Sequence, residues 1–130
     1  MTDVANAVVQ RPRSRALVWL PRIFLALVFV YVGAIKVRDE GMWVRLFEQI
    51  GIGQWFRYVT AIVEIVGGVL MLVPRANGVA VLLTSSAMVG ALVVHATVTG
   101  FGPQTVAASV LLTLSLLVGW SHLQWSGPRR

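Results

Sequence analysis

The sequence predicts an all-α integral membrane protein: a four-helix bundle with a short interfacial amphipathic helix between spans 1 and 2. Three observations carry that expectation. Of 130 residues, 57% are hydrophobic and only 12% charged, against roughly 25% charged in an ordinary soluble domain. The apolar residues gather into four runs whose lengths approach or reach the roughly 17–25 residues that cross a bilayer as a helix. Between the first two runs, apolar residues recur at helical spacing. A soluble domain this short could not bury so much apolar surface in one core.

A basic tail, residues 1–15, carries Arg11, Arg13 and Arg15 and leads into the first span, 16–36. A secretory signal would have an apolar stretch of about 7–15 residues followed by a polar mature chain. This run is longer and no such chain follows, so it is read as an uncleaved span. The connection then contains Met42, Trp43, Leu46, Phe47 and Ile50 on one helical face, with Arg45, Glu48 and Gln49 largely opposite. That pattern is an amphipathic helix of about three turns, stopped by Gly51 and Gly53 and lying in the outer interface.

Span two covers 55–73, and P-R-A-N-G, Pro74 to Gly78, turns the chain tightly into span three, 78–99. The uncharged loop G-F-G-P-Q leads to span four, 105–122, and residues 123–130 form a second basic tail. Trp19, Trp43, Trp55, Trp120 and Trp125 stand near these boundaries, as aromatic belt residues do.

The net charge of +6 does not mark a nucleic-acid binder. Arg11, Arg13, Arg15, Arg75, Arg129 and Arg130 fall on one side of the membrane if both termini are cytoplasmic, with Asp3 the one acid there. Lys36, Arg38, Arg45 and Arg57 on the other side are diluted by Asp39, Glu40 and Glu48. The basic balance is therefore a topology signal that favours cytoplasmic N- and C-termini.

Glu64 lies within the apolar stretch T-A-I-V-E-I-V-G-G-V-L-M-L-V, where a charged side chain facing lipid costs about 3 kcal/mol. At 1.5 Å per residue it sits about 10 Å below the outer boundary, and His95 about 6 Å below the same boundary. Lys36 ends span one there and can reach inward. Arg22, Phe29 and Lys36 repeat every seven residues and share one face of span one. Glu64 is expected to face the bundle centre, paired with Lys36 or Arg22 and hydrogen-bonded to His95. Such a network either fixes helix register or forms a polar site for a quinone head group, an ion or a proton. His95 and His122 lie near opposite faces, so one chain cannot hold a haem between them, and no metal site is expected. The chain has no cysteine, and no phosphate-loop, dinucleotide, zinc-protease or nucleophile-elbow pattern occurs. It is not expected to be a complete enzyme alone.

The chain resembles the DoxX-like family of small four-span membrane proteins. The resemblance rests on R-I-F-L-A-L-V-F-V-Y-V-G-A-I-K, F-E-Q-I-G-I, A-I-V-E-I-V-G-G-V-L-M-L-V-P-R and A-M-V-G-A-L-V-V-H, from Arg22 to His95. It implies a bundle in a bacterial cytoplasmic (inner) membrane. Members are linked to thiosulfate:quinone oxidoreduction, to quinone or catechol stress, and to complexes with soluble redox enzymes. Arg22, Lys36, Glu64 and His95 match the family's recurring polar positions.

The function expected first is an accessory membrane subunit that anchors or completes a redox complex. Its partners would be the lipid bilayer and other membrane or peripheral redox subunits, or a homo-oligomer, met through the spans and through Trp43 and Phe47. The alternatives are a quinone-interacting oxidoreductase component, with quinone as the one cofactor suggested, and a small proton-coupled transporter.

Overall fold

A computed structural model of the chain describes residues 15–125, so both basic tails beyond those bounds lie outside the described residues. The described chain is all-α: α1 (Arg15–Arg38), α2 (Met42–Ile50), α3 (Gln54–Met71), α4 (Asn77–Val94) and α5 (Pro103–Trp125). A 3₁₀ turn, Pro74–Ala76, joins α3 to α4, and a π-helical turn, His95–Thr99, extends α4.

The four long helices pack α1 on α3, α3 on α4 and α4 on α5, and α5 returns to α1. Leu25, Phe29, Met71, Ala80 and Met88 are buried in the core. Outside it, the usual pattern of a soluble protein is inverted. Leu27, Leu82 and Leu117 are more than half exposed, whereas Arg22, Lys36, Arg57 and Glu64 are buried. An apolar exterior on this scale fits hydrocarbon rather than water. By length and hydropathy, three segments among the described residues can cross a membrane: Arg15–Arg38, Pro74–Thr99 and Pro103–Gln124. The chain is a membrane protein with several candidate spans. α3 falls outside that set on hydropathy and not on length, because Gln54, Arg57 and Glu64 lower the mean over its 18 residues.

The helices differ at their ends from the runs read in the sequence. The last is 23 residues long rather than the shortest of the four. Its start is set at Gly102, whose N–H donates to Thr105 Oγ1 at 3.1 Å, and Gln104, Ser121, His122 and Gln124 belong to the helix although they are polar. α2 runs for nine residues and ends at Gly51, whose φ of 79° is the left-handed conformation that glycine adopts without strain. Its N-terminus is held by Asp39: Oδ1 accepts from the Gly41 N–H at 2.7 Å and Oδ2 from the Trp43 N–H at 3.1 Å. Two donors left free by the first turn are thereby satisfied.

The approach of α1 to α3 depends on Gly33. A Cβ there would stand 2.6 Å from Ile65 Cγ1 and 2.8 Å from the Ala61 carbonyl oxygen. Small residues permit this close crossing in apolar surroundings, and it brings the Lys36 side chain within reach of α3.

Candidate functional site

α1 and α3 meet through a buried ion pair. Lys36 Nζ donates to Glu64 Oε1 at 2.6 Å, and the two side chains are 9% and 1% exposed. The ammonium also lies 4.8 Å from the centre of the Trp43 ring on α2, a cation–π placement. Glu64 Oε2 is buried and has no donor among the described residues.

A cavity of about 1080 Å³ opens beside this pair. Lys36, Trp43, Phe47, Glu64, Met88 and His95 contribute to its wall, with α5 closing one side through Ala108 and Leu111. The volume lies just above the usual range of small-molecule sites, which are apolar with a few placed polar groups.

Of the four polar residues expected to form one network, the structure brings together two. Arg22 does not meet Glu64. It lies fourteen residues before Lys36, about 21 Å along the helix, and its Nε donates to the Met71 carbonyl at 2.9 Å. His95 lines the cavity but does not bond to Glu64. Its Nδ1 pairs with Thr99 Oγ1 at 2.8 Å, because the π turn supplies a hydroxyl within its own segment. Phe47 was expected as an outward contact with a partner or lipid. It is instead buried, edge-to-face with Phe56 at 6.0 Å between centroids, since α2 folds back onto α3. Trp43 is half-buried over Lys36.

Arg57 has a role that the sequence reading missed. Counted among the charges of the outer side, it is 5% exposed. Its Nη1 donates to the carbonyls of Lys36 at 2.5 Å and Asp39 at 2.8 Å. A cation on the last carbonyls of a helix satisfies acceptors that have no intrahelical partner. The two arginines form a reciprocal arrangement: Arg57 of α3 closes the end of α1, and Arg22 of α1 closes the end of α3. Arginine seven residues before Glu64 on one helix face was the available signal.

Outside the apolar segments, the Asp39 carboxyl is held below the ordinary aspartate range. The hydrogen bond from the N–H of Gly41 is the largest cause, followed by that from Trp43.

A helical membrane protein with a buried Lys–Glu pair beside an apolar cavity is the class that fold and site define. The sequence profile of the DoxX-like family matches residues 21–118, and the chain belongs to that family. The match runs into α5, beyond the motifs that end at His95. No curated protein and no solved structure matches the chain.

Proposed function

We propose that the chain is a four-span bundle of a bacterial cytoplasmic membrane and serves a membrane redox complex there. In this reading its cavity holds the ring of a quinone-type lipid. The observation that carries it is the cavity of about 1080 Å³ with the Lys36–Glu64 pair in its otherwise largely apolar wall. Apolar walls suit a ring and its tail, and one polar locus suits the oxygens of the head group.

α3 is the fourth span in this reading. Its 18 residues rise about 27 Å, close to the hydrocarbon thickness. Both its charges are buried against protein, so neither has to meet lipid. Both termini are cytoplasmic, which collects Arg15 and Arg75 at the inner end. α2 lies in the outer interface with Arg45, Glu48 and Gln49 exposed and roofs the cavity.

Native mass spectrometry of the protein released gently from its own membranes tests this. The expected result is a bound prenylated ring lipid, redox subunits, or both. Recovery with phospholipid alone would remove the proposal.

A further inference from the structure

The carboxylate in the cavity wall is only half used. Oε1 of Glu64 accepts from Lys36, while Oε2, buried in a residue 1% exposed, has no donor among the described residues. We propose that the cavity selects a neutral ring bearing a hydroxyl, a phenol or hydroquinone, over the corresponding quinone. This inference rests on the reading of the cavity as a ring-lipid site and adds which form of the ring it prefers.

An N···O separation of 2.6 Å is that of a charge-assisted hydrogen bond, and the indole face of Trp43 stabilises a cation at Lys36 Nζ. With the pair ionised, Glu64 is a carboxylate, which accepts hydrogen bonds and donates none. A buried acceptor without a donor costs free energy, more so when it is charged. Glu64 stands in the wall of the adjoining cavity, and Oε2 is the acceptor it has left for a ligand.

A ring hydroxyl meets both halves of the site. Its O–H donates to Oε2, and its lone pairs remain available to Lys36, whose ammonium carries three N–H donors. A quinone carbonyl can accept from Lys36 but offers Oε2 nothing, and brings its lone pairs toward a negative oxygen. A ligand ammonium would supply a donor, but Lys36 already balances the carboxylate. A second cation would face that first one at short range in a medium that screens poorly. The ring itself finds Trp43, Phe47, Phe56 and Met88 along the wall, surfaces that favour a flat aromatic body.

The test uses duroquinol and duroquinone, one ring in two states, titrated separately into the full chain in lipid nanodiscs, the quinol under reductant. Duroquinol is expected to bind roughly 10- to 100-fold tighter, the range set by one hydrogen bond to a charged acceptor. Glu64→Gln places an amide donor where Oε2 stood and should erase or reverse the preference. The double variant Lys36→Met, Glu64→Gln makes the same comparison without an unpaired buried lysine. Equal affinities in the wild-type chain, or tighter binding of duroquinone, overturn the hydroxyl preference while leaving ring binding intact. A preference that survives in the variants overturns the role of Glu64. If neither ring binds, the cavity reading falls and the preference with it.

Discussion

Arg57 holds the backbone of the residue whose side chain Glu64 holds: its Nη1 lies 2.5 Å from the carbonyl oxygen of Lys36. Arg57 and Glu64 are seven residues apart and share one face of α3, so this helix grips Lys36 by both backbone and side chain. The ion pair is thus fixed at the lysine's root as well as at its tip. Such double fixation suits a polar locus that must keep one geometry while a ligand comes and goes, because little reorganisation is left to be done on binding.

The pair itself should behave as a coupled unit. Glu64→Gln or Lys36→Met alone leaves a buried group without its counterpart and is expected to cost about 3–5 kcal/mol. The double variant should recover much of that loss, since removing both partners also removes the desolvation cost of both. Reversible unfolding of the four proteins in one detergent provides the cycle. Strict additivity of the two single losses would mean that the 2.6 Å contact carries no coupling.

Much of this was legible in the sequence, and the remainder was not for a definite reason. Composition and the length of the apolar runs give the membrane class and the long helices. The 22–29–36 repeat correctly puts Arg22, Phe29 and Lys36 on the buried face of α1. Depth counting brings Lys36 near Glu64, but depth is a coordinate along one axis only. It cannot tell which helix ends adjoin, so Arg57 read as a surface charge although the carbonyls of Lys36 and Asp39 lie against it. Nor does it foresee that His95 finds a nearer partner in Thr99. Phe47 was misjudged because a residue on the apolar face of an amphipathic helix can meet lipid or the helix beneath with the same pattern.

Gly33 tests how closely α1 and α3 must approach. Gly33→Ala would press a methyl to 2.8 Å from the Ala61 carbonyl oxygen, and a backbone atom can move only with its helix. The expected loss is about 1–3 kcal/mol, together with a weakened Lys36–Glu64 pair as the helices part. Gly90→Ala is the matched control, since a Cβ there meets nothing within 4 Å, and its unfolding midpoint should stay near wild type. Equal midpoints for both variants would show that the crossing has slack.

The reciprocal arginine caps predict local loosening at opposite ends of the bundle. Arg57→Ala strips the Lys36 and Asp39 carbonyls of their shared donor, at an expected cost of about 2–4 kcal/mol. Arg57→Lys should restore only part of it: an ammonium on a shorter side chain can stand in for Nη1, but nothing replaces Nη2, which donates to Tyr58 Oη at 3.1 Å. Hydrogen exchange should quicken in the last turn of α1 for Arg57→Ala and in the last turn of α3 for Arg22→Ala. Acceleration at the same end in both variants would contradict the arrangement.

The docking of α2 should depend on pH through Asp39. Its carboxylate accepts from the N–H groups of Gly41 and Trp43, which lowers its pKa in the folded state. A group with a depressed folded pKa contributes fully above its unfolded value, and the contribution is lost as pH falls through the folded value. The start of α2 is therefore expected to stay fixed through neutral and mildly acidic pH and to loosen only below the ordinary aspartate range. Asp39→Asn keeps one acceptor oxygen of two and should flatten this acid dependence while leaving α2 less well held at neutral pH. The amide proton of Gly41, followed by NMR during an acid titration in detergent, reports the change directly. A shift centred at or above the ordinary carboxylate pKa would mean that these two hydrogen bonds do not favour the charged form, and that α2 is held by its other contacts, Phe47 against Phe56, Trp43 over Lys36 and Gln54 on the Val44 carbonyl.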